Sequence, residues 1–497
     1  MSHSPVFKFF EKSITFDKTQ PQPVYIQVSQ QIINAIQRGY LHKGSLLPGT
    51  RKVSELLQIH RNTAVAIYDE LASQGWVEII PNKGTYVLEN NNKSLKIKST
   101  SETRNTPYSH AIETGFPFQE SFHLSSTSES SDAKLIINEG KPDLRLHPVH
   151  QFSRWYSSSM KRKTLIKKWS NPLGVSHALF QNQLCNYLNI TRGFHINPTN
   201  LVNTRSTEMS LYIVSQLLIK PKDVVIVGHL SNYAANMIFQ QVGANIKTIP
   251  VDHEGLNVDY IKENFTKQSI RCVYVNSQRD YPTTAMLSIE RRLKLLALAR
   301  EYNFAIIEDD YDYDFQFDGY AMPPLATADE KGMVIYLGKL GQSLFPSFQT
   351  GFVVAPQNLI SEAKNYLQLL DKQGDLIQEQ MLFELINEGE IYRLMKKSVT
   401  IYRERRDYLC KKLNQHFKKI ASWNVPSGGL ALWLTFTPKI SLVQLAKAAE
   451  NNNLFLPKTL LYQDANTCSI RLGFGSLDFN EIDFLVQQLK IAYHKVS

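Results

Sequence analysis

Near the start of the chain apolar residues recur at a helical period. Val24, Val28, Ile32, Ile33 and Ile36 line one face of a helix that stops before Gly39. In LLPGTRKVSELLQI, Pro48 and Gly49 make a turn and Thr50 is placed to cap. Val53, Leu56 and Leu57 face inward on a short second helix. A turn at Gln58 to His60 leads to a third helix from about Arg61 to Ser73, with Val65, Tyr68 and Leu71 or Ala72 inward. VEIIPNKGTYVLE (77–89) reads as two strands with a tight turn at Asn82-Lys83-Gly84.

Helix, short helix, turn, helix and hairpin in that order make a winged helix-turn-helix. Residues 91–133 are rich in Ser, Thr and Asn, show no sustained period and read as a linker. Beyond them, short β-rich runs alternate with amphipathic stretches: VVIV (224–227), CVYV (272–275), FAII (304–307), MVIYL (333–337) and GFVV (351–354). Between two of these, IERRLKLLALAREY (289–302) sets Ile289, Leu293, Leu296 and Ala297 at helical spacing. The alternation predicts βαβ units and a mostly parallel sheet, an α/β fold.

At 497 residues the chain has room for about three domains. Its 43% hydrophobic and 20% charged content excludes wholesale disorder. A formal charge of +10 permits an acidic partner without identifying one. Cys185, Cys272, Cys410 and Cys468 lie far apart in sequence, so no local zinc knuckle or redox pair is expected, and no metal site. MSHSPVFKFF has no signal-peptide character, and no apolar run is long enough to span a membrane. The expected class is a soluble, cytoplasmic, multidomain protein.

Candidate chemistry falls in two places. Arg61, Asn62 and Thr63 put donors on the first turn of the third helix, whose free N–H groups suit phosphate. Arg51 and Lys52 lie one helix earlier, and Lys83, Gly84 and Thr85 form a wing able to reach a minor groove. A solvated helix start explains such a triplet when it stands alone; with Arg51 and the hairpin present, DNA contact is the better account. In the second place, FAIIEDDYDYDF sets Glu308, Asp309 and Asp310 at the C-terminal end of a buried strand, the edge where open α/β sheets bind ligands. Those carboxylates suit a metal, a cationic ring nitrogen, or helix N-termini and arginines. YPTT (281–284) follows another strand at that edge. Arg471, among Ile470, Leu472 and Phe474, is either a buried ion-pair partner or a carboxylate clamp.

LPGTRKVSELLQIHRNTAVAIYDELASQGWVEIIPNKGTYV closely resembles the GntR family of bacterial regulators. His60 stands where that family has a capping Ser, so the turn is expected to fray. The resemblance implies contacts to double-stranded operator DNA from Arg51, Arg61, Thr63 and the wing around Gly84. Residues 137–497 resemble fold-type I aminotransferases, specifically the aminotransferase-like half of MocR-type regulators. The blocks that carry this include GKPDLRLHP (140–148), WSNPLG (169–174), VYVNSQRDYPTT (273–284), IIEDDYD (306–312), SGGLALWL (427–434) and SIRLGFGSL (469–477). The layout it implies is a DNA-binding domain over 1–90, the linker over 91–133, a large domain over 134–375 and a small one over 376–497. It also implies pyridoxal 5'-phosphate, with Asp309 on the ring nitrogen, Tyr311 on the ring hydroxyl, Tyr281, Ser206 and Thr207 nearby, and Arg471 on a carboxylate.

The same pattern is broken at its centre. The Schiff-base lysine is Gln342, and a carboxamide cannot form an aldimine. A phosphate-contacting arginine is Gln349. The phosphate cup reads Arg205-Ser206-Thr207-Glu208, a block tyrosine is Trp169, and the ring-stacking aromatic is Asn232 beside Tyr233. Lys339 lies too far along the chain to substitute simply. The expectation is a homodimeric DNA-binding regulator with no catalytic residues, whose degenerate aminotransferase-like part senses a small amino acid or amine through Arg471. A pyridoxal-phosphate aminotransferase carrying a DNA-binding domain, and a scaffold that only sets dimer geometry, are the alternatives.

Overall fold

The computed structural model describes residues 5–12, 14, 16, 23–37, 41, 44–73, 76–80, 83–88, 114–117, 129, 131–161, 178–341, 344, 348–371, 374–464 and 466–496. Most of the linker reading over 91–133, and Gly39, Asn82, Trp169 and Gln342, lie outside them. The chain divides into two compact units, 1–128 with 463–467, and the rest of 129–497.

In the first unit, helices α1 (Pro5–Lys12), α2 (Val24–Gln37), α3 (Thr50–Leu57) and α4 (Arg61–Ser73) accompany strands β1 (Leu46–Leu47), β2 (Val77–Ile80) and β3 (Gly84–Val87). Neither α1 nor β1 was expected. The sheet order is β1-β3-β2, all antiparallel. Gly84 has φ +121, and a Cβ there would sit 2.6 Å from Leu46 Cδ1. A side chain there would be strained by the backbone conformation and would displace Leu46, so glycine suits this turn. Val28, Ile32 and Ile33 of α2 meet Val53 and Leu57 of α3 and Ala64, Ile67, Tyr68 and Leu71 of α4. Two expectations need correcting here. Val65 is 38% exposed, because the buried stripe of α4 runs through Ala64 and Ile67 instead. Thr50 makes no capping bond; Gly49 occupies the N-cap and Thr50 is already helical.

In the second unit a seven-stranded sheet carries the order β4-β10-β9-β8-β7-β5-β6. Its strands are β4 (Leu201–Thr204), β5 (Val224–Gly228), β6 (Asn245–Ile249), β7 (Cys272–Val275), β8 (Ala305–Asp310), β9 (Val334–Leu340) and β10 (Thr350–Val354). All pairs are parallel except those of β10, which runs antiparallel to both β9 and β4. The connection 341–349 is too short for a crossover, so β10 turns back on β9. Helices Thr207–Leu218 and Tyr233–Gln241 cover one face through Leu211, Val214, Ala235 and Phe239. Helix Ile289–Tyr302 covers the other through Leu295, Leu296, Leu298, Ala299 and Tyr302. Ile289 and Leu293 point outward at 62% and 59% exposure, and Ala297 is exposed too. Of the four residues read at helical spacing, Leu296 is the buried one. A four-stranded sheet, β11 (Ala421–Ser422), β12 (Ala431–Phe436), β13 (Leu461–Gln463) and β14 (Cys468–Gly473), has the order β11-β12-β14-β13. It packs with helices Glu390–His416, Leu442–Glu450 and Phe479–Val496 around a separate core. No helix among the described residues is long and apolar enough to cross a membrane.

Candidate functional site

At the start of α4, Arg61 and Asn62 are exposed and Thr63 is half-exposed. The preceding His60 accepts the Asn62 N–H at Nδ1, 3.2 Å. The ring thus supplies the capping acceptor that an Ser hydroxyl would give, which corrects the expectation of a frayed turn. The Tyr68 hydroxyl donates to the Pro48 carbonyl and ties α4 to the turn before α3. Arg51 is exposed on α3, and Lys52 pairs with Glu55 at 2.7 Å. Lys83 is exposed at the wing tip. Thr85 is 6% exposed and points into the unit, because alternation along β3 turns Thr85 and Val87 to the same side. Its place in a DNA-facing wing is withdrawn.

The carboxylates on β8 separate by strand parity. Glu308 is buried and accepts Leu325 and Ala326 N–H at 2.7 and 2.9 Å, and the Ser277 hydroxyl. Asp310 accepts the Tyr336 hydroxyl at 2.7 Å, close to the buried Arg192, which donates to Tyr336 at 2.9 Å. Both sit in structural networks. Asp309 faces the opposite side, that of Ile307 and helix Thr207–Leu218. Its Oδ2 accepts the Tyr274 hydroxyl at 2.5 Å, and its Oδ1 is buried with no partner. Burial pushes its carboxyl up to about 7, with Glu208 and Asp310 adding to the rise and Lys339 opposing it.

Arg471, on β14, is 1% exposed. Its Nε donates to Glu139 O and its Nη1 to Pro282 O, both at 2.8 Å, and its Nη2 to the Tyr311 hydroxyl at 3.4 Å. The guanidinium lies 4.5 Å from the Tyr281 ring centroid. Among the described residues no carboxylate pairs with Arg471. Tyr281 donates to Glu139 Oε2 at 3.2 Å, and its ring meets Tyr311 edge-on at 6.1 Å.

The N-terminus of helix Thr207–Leu218 rests against β10, where a Cβ at Gly351 would collide with the Ser206 backbone. The Ser206 hydroxyl is engaged by the helix's own Met209 N–H at 3.2 Å. Glu208 is exposed in the first turn. Arg205 is held by Asp371 at 2.6 Å and Asp375 at 3.5 Å. Glu379, which accepts Asn203 Nδ2 at 2.8 Å, adds to the negative field around it. Asn232 caps helix Tyr233–Gln241, accepting Ala234 N–H at 2.9 Å, so the residue where a ring-stacking aromatic was sought has a local role. Lys339 lies on β9 opposite Gly351. Pyridoxal phosphate fits one half of this arrangement. Asp309 Oδ1 suits a pyridinium N–H; the phosphate end holds an arginine paired with two carboxylates, a hydroxyl whose oxygen already accepts an N–H, and the exposed carboxylate of Glu208, and does not suit a dianion. Sequence reasoning missed Tyr274, although CVYV places it at the right strand end, and missed Asp371 and Asp375, which sequence distance hides.

Two family models match the chain: the gntR family of bacterial regulatory proteins over residues 24–87, and aminotransferase class I and II over residues 158–478. An uncharacterised HTH-type transcriptional regulator of Bacillus subtilis is 23% identical over 480 residues, 97% of this chain and 98% of that one. The probable rhizopine catabolism regulatory protein MocR of Rhizobium meliloti is 24% identical over 448 residues, covering 89% and 87%. The crystal structure of a multiple substrate aminotransferase from Thermococcus profundus superposes with a TM-score of 0.66 at 20% identity, over 76% of this chain and 98% of that one. The class I and II fold is that of a pyridoxal-phosphate family. The chain belongs to the aminotransferase class I and II family and, with its gntR domain, to the MocR-type subfamily of GntR regulators.

Proposed function

We propose that this chain is a DNA-binding transcription regulator. Arg51, Arg61, Asn62, Thr63, Lys83 and the backbone at Gly84 contact operator DNA, and the aminotransferase-like unit binds a small effector without catalysis. The observation that carries the DNA half is the exposed Arg61-Asn62-Thr63 turn, capped by His60 at the head of α4. Base and phosphate donors are thereby presented on a rigid helix start. The near full-length similarity to relatives named as transcriptional regulators supports the same reading.

The non-catalytic half rests on sequence and charge together. Gln342 offers no amine for an aldimine, so transimination has no nucleophile. The carboxylates around Arg205 leave a phosphate poorly held. Arg471 supports the effector role: a buried guanidinium with no carboxylate partner among the described residues suits the carboxylate of an amino acid, with Tyr311, Tyr281, Ser206 and Thr207 around the same ligand.

A footprint on the DNA upstream of its own gene tests the first half. Protection that weakens steeply with salt is expected, because phosphates are being neutralised; no protection at low salt overturns it. Fold-type I domains share site walls between subunits, so a homodimer is expected by light scattering at micromolar concentration, and a monomer counts against the assembly.

A further inference from the structure

We propose that the site between Asp309 and the head of helix Thr207–Leu218 takes an unphosphorylated organic cation, with its N–H on Asp309 and its far end beside Glu208. This rests on the reading that the aminotransferase-like unit binds ligand without covalent chemistry.

Three observations carry it. Asp309 is 6% exposed and its Oδ1 has no partner, while its Oδ2 is fixed by the Tyr274 hydroxyl. Asp310 Oδ1 is open in the same way but lies in the field of Arg192, whereas Asp309 sits beside Glu208 and Asp310 with Lys339 opposing them, so its open oxygen is the one suited to a cationic ligand N–H. The head of the helix, the natural seat of an anion, is already served from within the chain. Ser206 Oγ accepts Met209 N–H, and Glu208 supplies negative charge in the first turn. Finally, among the described residues the charges at this end sum against an anion. Arg205 and Lys339 are positive, whereas Glu208, Asp371, Asp375 and Glu379 are negative. A phosphate dianion deepens that imbalance, and a cation relieves it. The end of the site that holds phosphate in its fold has thus been inverted in sign, while the ring-nitrogen end is retained.

The raised carboxyl of Asp309 agrees with this. Its burial beside Glu208 and Asp310 is what holds it near 7 when no cation is present.

The test is calorimetric titration of the full-length protein with pyridoxamine and with pyridoxamine 5'-phosphate. The two share a ring and an amine, differ only in the phosphate, and neither forms an aldimine with a lysine. Pyridoxamine is expected to bind at least about tenfold more tightly than its phosphate ester. Glu208→Gln, an exposed position whose folding is checked by circular dichroism, is expected to shrink or reverse that preference. Asp309→Asn is expected to lose binding of both. Tighter binding of the phosphate ester to the wild type, or no binding of either compound, overturns the proposal. Failure of the underlying reading shows differently: borohydride reduction in the presence of pyridoxal phosphate leaves a stoichiometric pyridoxyl adduct that mass spectrometry maps to a lysine of this site such as Lys339, not to scattered surface lysines. Loss of the DNA footprint bears on the regulator reading alone.

Discussion

Replacing Asp309 by Asn removes a titration that the fold imposes on itself. The carboxyl moves from an ordinary 3.8 to about 7 because it is buried with only Tyr274 donating to it. Between those two values the folded protein holds a proton that the unfolded chain has released. Stability therefore falls as pH rises from about 4 to about 7, and levels off above. A shift of about three units corresponds to up to about 4 kcal/mol at pH 8. For a unit of about 370 residues, with an unfolding entropy of about 2.1 cal/mol/K per residue, that is about 5 °C in Tm. Asparagine keeps an acceptor for the Tyr274 hydroxyl but leaves its own N–H groups unpaired, a cost of about 1–3 kcal/mol that does not vary with pH. Asp280, also raised to about 7 by burial, titrates equally in both proteins and cancels in the difference. The assay is the Tm of wild type and Asp309→Asn at half-unit steps from pH 4 to 8. The variant is expected to gain on the wild type progressively across that range. Parallel curves refute the burial argument for Asp309.

Three further outcomes are expected. Arg61→Ala weakens specific DNA binding by about 1–3 kcal/mol in a mobility-shift assay, as for loss of a base or tight phosphate contact. His60→Ala lowers the stability of the first unit by about 0.5–2 kcal/mol while His60→Ser holds it, since only the serine keeps a capping oxygen for the Asn62 N–H. The purified protein shows no aldimine band near 400–430 nm, and Gln342→Lys with Gln349→Arg gives more colour on adding pyridoxal phosphate than the two single variants together, because both act on one ligand.

Much of the plan is legible in the chain. The strands VVIV, CVYV and MVIYL and three of the four described helices of the first unit, α2 to α4, follow from apolar period, because burial of both sheet faces writes continuous runs and burial of one helix face writes a stripe. The misses have physical causes. On helix Ile289–Tyr302 the apolar residues exceed what the sheet can cover, so helical spacing does not say which of them are buried, and Ile289 and Leu293 face outward. On α4, Ala64 is small and buried whereas Val65 is larger and exposed. Hydropathy ranks side chains by size, but a close helix crossing selects the small one. His60 reads as a poor cap in the sequence because imidazole is a rare one, yet its Nδ1 accepts a first-turn N–H as a serine oxygen would. Asp371 and Asp375 reach Arg205 from more than 160 residues away, and no local pattern announces such a pairing.

The acidic run of β8 shows how a period of two sorts function from structure. Glu308 and Asp310 point to one side and are spent on backbone N–H groups, on Tyr336 and on the field of Arg192. Glu308 has three donors; Asp310 has the Tyr336 hydroxyl on one oxygen and, although its Oδ1 is unpartnered, the neighbouring Arg192 offsets its charge. Asp309, between them, points to the other side, where Tyr274 satisfies one oxygen and nothing satisfies the second. A Leu at 309 would remove the buried titration but strand the Tyr274 hydroxyl, so the fold uses one oxygen of Asp309 and not the second. Arg471 repeats the logic at the other end, a buried guanidinium with carbonyls and a phenol around it and no carboxylate among the described residues. A buried carboxylate with one open oxygen, and a buried guanidinium with no carboxylate partner among the described residues, are what a site for a small zwitterion or cation needs before its ligand arrives.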